Sequence, residues 1–499
     1  MSEETETYVA RLAKLKELNA KGRDPFAIER FDRSHKAAEV ACEVAFSSLD
    51  GTHVTVAGRV VARRKMGKAS FCNIEDQSGR IQLYVRGDEL GDAAYQLFLD
   101  MDLGDIVGAV GSVFRTNSGE ISIRASEITL LAKALRSPPT GKVDDQGLVH
   151  GALADVEDRY RRRYLDFLAN PAARDLVRRR SVAISTIRRW LDDHQFIEIE
   201  TPVLQNVAGG ALARPFVTHH NALDLDLKLR ISLELYLKRL IIGGFERVYE
   251  IGRVFRNEGV SPRHSPEFSL MELYQAYANL EEIMELVEEM YIAVATAVNG
   301  SPMIACADGA IDLAQRPWRR LAMNDGIAEF AGIRPEELAS LEQAKAACRR
   351  VGAPLDLAAE TTLGGLIEKL HEVYTQPHLL QPTFIVDFPV ETSPLAKRSA
   401  RNPAVARRFE LYIASQELGN AFSELNDPVD QRQRFEEQVR QNEAGNAEAH
   451  PMDTDFLEAM EYGMPPTGGL GIGIDRLVMV LTNTASIRDV IPFPLLRPR

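Results

Sequence analysis

The stretch FERVYEIGRVFRNEGVSPRHSPEFSLMELY, residues 245–274, concentrates side chains that bind phosphates and aromatic ligands. Its alternation of apolar and polar residues predicts two antiparallel strands joined by a polar, basic loop. Arg256 ends the first strand, where a rigid element can aim its guanidinium. Phe268 begins the return strand, where its ring can stack on a base. Such a hairpin could hold a polyanion, although the pattern also fits an ordinary hairpin with surface charges.

A second group of polar residues lies in the segment RRFELYIASQELGNAFSELN. Glu410 and Glu417 are seven residues apart, and a pair of carboxylates of this kind can hold Mg²⁺. Asn420, Phe422 and Glu424 alternate with a period of two, so a strand would place all three on one face. An amide, an aromatic ring and a carboxylate on one face predict a small-molecule pocket. The alternative is a set of ordinary salt-bridged surface glutamates.

The segment GLGIGIDR, residues 469–476, predicts a strand that passes directly into a helix, with Asp475 able to cap that helix. Its glycines at alternate positions let a neighbouring backbone or a ligand approach closely. The spacing is not that of a dinucleotide-binding fingerprint. Arg476 opens the helix and can clamp a phosphate or stack on a purine.

The surrounding elements predict an α+β protein with two folds in one chain. Three alternating strands, a helix and two further strands follow one another between 52 and 131, which is the element order of a five-stranded OB barrel. A small β-meander is the alternative for this region. After a stretch rich in proline and glycine, the chain alternates between helix and strand patterns. We predict a helical extension (1–50), an OB-fold domain (51–136), a linker (137–158) and a larger domain (159–499) with a helical insertion at about 316–375.

Composition limits the classes of protein to which the chain can belong. Its 499 residues are 45% apolar and 26% charged, which excludes disordered and disulfide-stapled scaffolds. The net charge of −13 argues against nucleic acid, yet residues 159–190 carry ten arginines and two aspartates, a local basic footprint. No apolar run is long enough to span a bilayer, no secretory signal is visible, and the four cysteines lack zinc-site spacing. We expect a cytoplasmic protein.

Taken together and in this order, the segments resemble the three signature motifs of class II aminoacyl-tRNA synthetases. The first is a helix and a strand ending in FIEIETPVL with Pro202, the second is VFRNEG followed by RHSPEF, and the third is GLGIGIDR. The segments KASFCNIED, GRIQLYV, RPFVTHHNALDLD, ELYLKRL and NAFSELND look like the bacterial-type lysyl-tRNA synthetases of this class. The resemblance runs from about residue 52 to residue 499. It implies an antiparallel catalytic sheet flanked by helices, an OB domain that binds the anticodon, and a homodimer.

The resemblance also implies a reaction. Lysine and ATP would form lysyl-adenylate, with Mg²⁺ on the phosphates, and the lysyl group would then move to lysine tRNA. Arg256 would bind the α-phosphate and the lysine carboxylate, and Arg476 would sandwich the adenine with Phe268 and reach the γ-phosphate; we predict both arginines to be catalytic. The predicted ATP-binding residues are Arg256, Glu258, His264, Phe268, Glu410, Glu417 and Arg476, of which Glu410 and Glu417 would hold the metal.

Recognition of the amino acid can be argued physically. A lysine ammonium entering a closed pocket needs negative partners, since its desolvation is otherwise prohibitive. Glu234 and Glu424 supply them, whereas two glutamates would repel the side chain of aspartate. The resemblance gives the α-amino group to Glu272 and the backbone of Gly210, and the carboxylate to Asn420. The predicted lysine-binding residues are Gly210, Glu234, Arg256, Glu272, Tyr274, Asn420, Phe422 and Glu424.

The resemblance assigns the anticodon to the OB domain. An aromatic platform, an arginine and two further polar side chains suit unstacked bases. The alternative for Phe71 is a place in the barrel core. The predicted anticodon-binding residues are Arg64, Phe71, Gln82 and Glu120.

Three rival functions remain at this stage. Ligases that attach lysine to elongation factor P share the catalytic core but lack the OB domain, which the strand pattern at 52–131 predicts here. A non-catalytic, synthetase-like RNA-binding protein could lose Arg256, Glu417 or Arg476 without penalty, yet all three are present. A class II enzyme for aspartate or asparagine is disfavoured by the two glutamates of the predicted pocket.

Overall fold

Alternating apolar residues build a closed β-barrel in the first of the two units into which the chain divides, Met1–Pro171 and Ala172–Arg499. The computed structural model describes residues 3–66, 69–143, 149–306, 309–443 and 450–498. The elements of the first unit are α1 (Glu3–Ala20), α2 (Ala37–Val40), α3 (Glu43–Leu49), β1 (His53–Met66), β2 (Ala69–Glu75), β3 (Arg80–Arg86), α4 (Gly87–Leu90), α5 (Asp92–Asp100), β4 (Ile106–Arg115), β5 (Ile121–Ala132), β6 (Thr140–Val143), β7 (Val149–Ala152), α6 (Val156–Arg161) and α7 (Arg163–Ala169).

The barrel closes in the strand order β1-β2-β3-β5-β4, with the helices α4 and α5 between β3 and β4. This confirms the OB order that the sequence predicts. Cys72 and Ile74 of β2 point into the barrel and are buried, whereas Phe71 alternates with them and lies half-buried on the outer face. The alternative that Phe71 belongs to the barrel core is therefore wrong, because the pleat turns it outward.

A buried ion pair holds the end of β5 to the chain that precedes β4. Lys133 Nζ donates to both oxygens of Asp105, at 2.8 and 3.0 Å, and both side chains are shielded from solvent. Asp105 also accepts the backbone amides of Asp102 and Ala134. The carboxylate is thus fully enclosed by donors, and its charge depends on the lysine for compensation.

We expect Lys133→Met to destabilise the barrel by about 3 kcal/mol, because it leaves a buried carboxylate without its cation. Lys14→Met is the matched control, since Lys14 bonds Asp102, another partner of Lys133, from a side chain that is 39% exposed. An exposed pair of this kind contributes at most about 1 kcal/mol. Hydrogen exchange of the β4 and β5 amides measures both variants. Equal effects of the two substitutions would contradict the prediction.

The segment predicted as a linker contains some regular structure. β6 and β7 pair with each other, and α6 begins at Val156 with Asp155 as its cap. Asp155 accepts the backbone amide of Asp158, an ordinary N-cap arrangement. The domain bounds stay predictions.

The second unit is built on an eight-stranded sheet. Its elements are α8 (Pro171–Asp193), β8 (Ile197–Glu198), β9 (Leu204–Gln205), β10 (Val217–His220), β11 (Leu225–Leu229), α9 (Glu234–Ile242), β12 (Arg247–Phe255), β13 (Glu267–Ala276), α10 (Leu280–Asn299), β14 (Met303–Cys306), β15 (Gly309–Asp312), β16 (Arg319–Ala322), α11 (Met323–Ala331), α12 (Leu341–Val351), α13 (Leu363–Leu370), β17 (Thr383–Pro389), β18 (Val405–Ile413), β19 (Gln416–Ser423), α14 (Pro428–Glu443), α15 (Thr454–Glu461), β20 (Thr467–Gly473), α16 (Ile474–Leu481) and α17 (Ile487–Val490).

The strand order of this sheet is β16-β17-β18-β19-β20-β13-β12-β8. The six central strands pair antiparallel, and the two edge strands pair parallel to their neighbours. Ala183, Ile187 and Leu191 recur at four-residue spacing along α8 and bury that face in the core on the sheet. The antiparallel sheet flanked by helices agrees with the fold that the resemblance implies.

The predicted strand FIEIETPVL is much shorter than its pattern suggests. Only Ile197–Glu198 and Leu204–Gln205 are extended and paired, and they belong to different sheets. Pro202 has no amide to donate, and the amide of Thr201 donates to the carboxylate of Glu250 at 3.0 Å instead of to a strand. Because the Glu250 side chain takes the amide of Thr201, the strand pairing ends at this point.

The segment at about 316–375 is mainly helical, as predicted, but it starts inside the sheet. β16 pairs in parallel with β17 before the chain enters α11. The helices α11, α12 and α13 then pack around their own buried core, which includes Ile327 and Leu366. Among the described helices of either unit, none combines the length and the apolar character that a bilayer crossing requires.

Candidate active site

Alternate residues of three neighbouring strands line a cavity of about 330 Å³ in the second unit. The register places Glu272 and Asn420 on either side of Gly471, and Tyr274 and Phe422 on either side of Gly469. The glycines of β20 therefore form a side-chain-free floor between two walls. The predicted ligand-binding residues that line the cavity are Gly210, Glu234, Arg256, Glu258, His264, Phe268, Glu272, Tyr274, Glu417, Asn420, Phe422, Glu424 and Arg476.

Arg256 sits where the sequence predicts, just beyond the end of β12. Its backbone amide donates to Pro266 O at 2.8 Å, which ties it to the strand that returns through Phe268. Its Nε donates to Ile231 O at 3.3 Å, and its guanidinium carbon lies 5.1 Å from the centre of the Phe268 ring. Arg256 lines the cavity, and a guanidinium held in place by a carbonyl and a ring suits the binding of an anion there.

Arg476 joins the β12–β13 loop to β19. It donates to Glu417 Oε2 at 3.0 Å and lies 3.1 Å from His264 Nε2. Burial and the charge of Arg476 lower the pKa of His264. A neutral imidazole accepts from the arginine through Nε2, which leaves its proton on Nδ1, 2.9 Å from Ser261 Oγ. The cluster fixes the arginine from two directions.

Asp475 does not cap α16, so that prediction is wrong. Gly473 occupies the cap position, and Asp475 lies inside the helix, where its carboxylate turns toward the core. Its oxygens meet Arg180 Nη1 at 2.5 Å and the amide of Ser269 at 2.7 Å. A buried carboxylate requires a cation, and Arg180 on α8 supplies it. The pair fixes the start of α16, and with it Arg476.

Glu410 is the one predicted ligand-binding residue that does not line the cavity. Arg408 Nη2 and the Tyr412 hydroxyl each donate to it at 2.6 Å. Burial raises the pKa of Glu410 to about 7, opposed by Arg408 and reinforced by the charge of Glu417. A cation bound beside Glu410 and Glu417 would favour the ionised form of Glu410. Among the described residues, no three His, Cys, Asp or Glu side chains gather as a metal site.

The deep end of the cavity is strongly acidic. Glu234, Glu272 and Glu424 are each at most 5% exposed. Glu272 is well satisfied, since it accepts Ser232 Oγ at 3.0 Å, the amide of Leu233 at 3.1 Å and the Tyr274 hydroxyl at 3.0 Å. Burial raises the pKa of Glu272 to about 7 and that of Glu424 to about 8. Burial without enough cationic partners disfavours their ionised forms, so an ammonium group that enters the cavity would stabilise those forms.

Several residues of this site escaped the sequence analysis. Lys238 reaches both Glu234 and Glu424, and Arg408 bridges Glu410 to Asn420 Oδ1 at 3.2 Å. The signal for Lys238 was present, because a glutamate four residues before a lysine on a helix predicts a pair. Arg408 was also visible, two residues from Glu410 on the same strand.

In the first unit, the outer face of the barrel carries a larger aromatic surface than predicted. The rings of Phe71 and Tyr84 lie 5.3 Å apart, those of Tyr84 and Phe114 lie 5.6 Å apart, and Arg124 lies 5.0 Å from the Phe114 ring. Strand pairing places Arg64 opposite Phe71. Stacked rings beside arginines are the surface that unstacked bases bind.

Gln82 and Glu120 also come together on this barrel. Gln82 Nε2 donates to Glu120 Oε2 at 2.9 Å, and Gln82 Oε1 accepts from Ser122 Oγ at 2.9 Å. Gln82 and Tyr84 share one face of β3, so the polar pair flanks the aromatic surface.

Known proteins resemble both units. Residues 155–497 match the family of class II tRNA synthetases (D, K and N), and residues 54–131 match the OB-fold nucleic acid binding domain. A lysine–tRNA ligase of Pelotomaculum thermopropionicum is 50% identical over 98% of this chain and 94% of its own length. Those of Moorella thermoacetica and Bacillus subtilis are each 49% identical, over 99% and 98% of this chain and 99% and 97% of their own lengths.

Proposed function

Because the chain belongs to the class II tRNA synthetases of the aspartate, lysine and asparagine group, and among them to the lysine–tRNA ligase family, we propose that it ligates lysine to lysine tRNA at the expense of ATP. The choice of lysine rests on the buried pair Glu234 and Glu424 at the deep end of the cavity. Two carboxylates there complement a side-chain ammonium and repel the carboxylate of aspartate.

In the first step, an oxygen of the lysine carboxylate attacks the α-phosphorus of ATP. The bond from that phosphorus to the bridging oxygen breaks, and pyrophosphate leaves with lysyl-adenylate remaining. Arg256 binds the α-phosphate and stabilises the charge on its oxygens, while Phe268 and Arg476 hold the adenine. Such a displacement depends on positioning and charge neutralisation more than on covalent help from the protein.

Glu258 and His264 contribute to the nucleotide site from the β12–β13 loop. Glu410 and Glu417 would hold Mg²⁺, and the charge of Glu417, which helps to raise the pKa of Glu410, supports that assignment. The metal, when bound, neutralises phosphate charge. Arg476 pairs with Glu417, so this carboxylate connects the metal site to the adenine site.

The amino acid lies on the floor of β20 between the walls. Glu272 and the backbone at Gly210 take the α-amino group, Asn420 takes the carboxylate, and Phe422 packs on the methylene stem. Glu234 and Glu424 bind the side-chain ammonium. Tyr274 donates its hydroxyl to Glu272, so it positions that carboxylate as well as lining the pocket.

The second step transfers the lysyl group to tRNA. A ribose hydroxyl of the terminal adenosine attacks the lysyl carbonyl carbon, and AMP leaves. The aromatic surface of the barrel, with Arg64, Gln82 and Glu120 around it, binds the anticodon. We place the reaction in the cytoplasm, where tRNA and ATP are available to translation.

A homodimer accounts for an exposed apolar surface on the second unit. Val217 and Leu223 are 64% and 67% exposed, and Leu204 and Leu225 are also exposed. Surfaces of this kind on a folded unit mark contacts with another protein. Analytical ultracentrifugation tests the assembly, and a monomer at micromolar concentration would refute it.

The function is tested by ATP–pyrophosphate exchange with each of the twenty amino acids, with Mg²⁺ and without tRNA. Exchange with lysine alone is the expected result. Exchange with aspartate or asparagine would overturn the assignment of Glu234 and Glu424, and exchange with none would revive a non-catalytic RNA-binding role. Charging of lysine tRNA, compared with an anticodon-substituted tRNA, tests the barrel surface.

Gly469→Ala is expected to raise the KM for lysine about a hundredfold. A Cβ at this position would lie 2.0 Å from Glu424 Oε1 and 2.6 Å from Tyr274 Cε1, so both side chains must move. Moving Glu424 would weaken its pairing with the ammonium of lysine, and a loss of about 2.8 kcal/mol in binding corresponds to that factor. Gly419→Ala is the control, because its Cβ would meet nothing closer than 3.6 Å. Steady-state exchange kinetics compare the two variants, and equal KM values would contradict the prediction.

A further inference from the structure

Lys238 is a buried cation that contacts two carboxylates of the proposed lysine pocket and that the mechanism above does not use. It lies on α9, one turn after Glu234, and its side chain is fully enclosed. Its Nζ is in ion-pair contact with Glu234 Oε1 and Glu424 Oε2 and lies 5.9 Å from the centre of the Tyr274 ring. The resident ammonium thus touches the two carboxylates assigned to the ammonium of the substrate.

The charged groups at this end of the cavity indicate a role for Lys238. The titratable groups that face Lys238 are Glu234, Glu424, Tyr274 and His450, and Glu272 interacts with Glu234 beside them. Burial and the charge of Lys238 lower the pKa of His450 to about 4, and burial raises the pKa of Tyr274, so both are neutral near pH 7. Three carboxyl groups then share one cation, and the pKa values of Glu272 and Glu424 are raised to about 7 and about 8. The α- and ε-ammonium groups of lysine bring two further positive charges, which stabilise the ionised forms of these carboxyl groups.

The contact geometry leaves room for a second ammonium. Lys238 Nζ lies against Oε2 of Glu424, whereas Oε1 has no hydrogen-bond partner among the residues that the structure describes. A buried carboxylate oxygen without a donor is costly. Glu424 is therefore held near a cation without being saturated by it.

We propose that Lys238 is a positioning residue that holds Glu234 and Glu424 side by side as a charged pair able to accept the ammonium of the substrate. The proposal rests on the proposed function, since it concerns how that pocket recognises lysine. A buried ion pair is a poor source of stability, and an apolar side chain at this place in α9 would serve folding as well or better. The role of Lys238 is therefore to set the position and the charge of the carboxylates of Glu234 and Glu424.

The consequence is a dependence of lysine binding on pH. Burial raises the pKa of both Glu234 and Glu424, and the charge of Lys238 acts in the opposite direction. Below its raised pKa a carboxylate is protonated and does not pair with an ammonium, so the KM for lysine rises as the pH falls. Removing Lys238 takes away the opposing charge and moves this rise to higher pH.

The test is the KM for lysine in ATP–pyrophosphate exchange from pH 6.5 to 9.5 for the wild type, Lys238→Met and Lys238→Arg. We expect Lys238→Met to shift the midpoint upward by at least about one pH unit, which is about a tenfold higher KM at pH 7, with kcat largely kept. Lys238→Arg keeps the charge and is expected to keep the midpoint. Lys369→Met, which removes an ion pair with Glu360 outside the cavity, is the control.

An unshifted profile in Lys238→Met, or an equal shift in Lys238→Arg, would overturn the proposal. A wild-type protein without lysine-dependent exchange would instead refute the proposed function.

If Lys238→Met does not fold, the counter-ion role predicts that Lys238→Met combined with Glu424→Gln folds, because the uncompensated charge is gone. A double variant that also fails would mean that charge is not the cause and would overturn the proposal.

Discussion

Arg256→Gln is expected to lower kcat for ATP–pyrophosphate exchange about a thousandfold while the protein keeps its fold. The guanidinium is the cation aimed at the α-phosphate, and removing one preorganised donor from a developing anion costs a factor of about 10² to 10³. The additional loss of a full charge in a partly buried site places the effect at the upper end. Stopped-flow or steady-state exchange at saturating lysine and ATP measures it.

Arg253→Gln is the matched control for this experiment. Arg253 lies three residues earlier, on β12 itself, but its side chain is 39% exposed and faces Glu267 at 3.7 Å. Exposed pairs of this length contribute little, so kcat is expected to stay within about twofold. Arg256→Lys separates charge from shape, because an ammonium lacks the planar fork. Full activity in Arg256→Lys or Arg256→Gln would remove Arg256 from the mechanism.

Glu424→Gln is expected to lower kcat/KM for lysine about a thousandfold and to narrow the preference for lysine over norleucine, its analogue without the ammonium. A site built around a charge can reject ligands that lack it by about 10⁴-fold. The substitution keeps the shape of the side chain but leaves a buried ammonium with half of its compensation, which costs several kcal/mol. Exchange kinetics with lysine and norleucine measure both numbers.

Glu288→Gln provides the control for burial. Glu288 is 2% exposed, similar to the 1% of Glu424, but it accepts Trp318 N and Arg316 Nε outside the cavity. We expect it to lower the unfolding temperature without changing the ratio of kcat/KM between lysine and norleucine. If Glu424→Gln and Glu288→Gln changed that ratio equally, the change would have to come from the lowered stability of the protein and not from a lost contact in the pocket.

The parts of the structure that local pattern determines were predictable. The barrel follows from alternating apolar residues separated by turns, and the β12–β13 hairpin follows from two alternating runs around a polar loop. Period two along β19 correctly placed Asn420 and Phe422 on one face. In each case the information lies within about ten residues, so no distant partner is needed to read it.

The predictions from sequence were wrong where a residue far away in the chain determines the local structure. The residues around Asp475 predict that it caps a helix. In the structure it pairs in the core with Arg180, which is almost three hundred residues away in the chain. Thr201 reads as part of a strand, but Glu250 takes its amide. The pair of Glu234 and Lys238 is local, whereas the arrival of Glu424 from β19 is not, so the sequence alone does not reveal that one lysine serves two carboxylates.

The glycines of β20 divide into two kinds with different evolutionary consequences. A Cβ at Gly468 or Gly469 would collide with Ile283 or with Glu424, whereas one at Gly471 would meet no protein atom closer than 3.7 Å and would only take up ligand space. Selection for folding alone would preserve the first two glycines and let Gly471 drift to alanine. In a lineage that lost its amino acid substrate but kept its fold, we therefore expect Gly471 to be replaced first, while the rest of β20 stays the same.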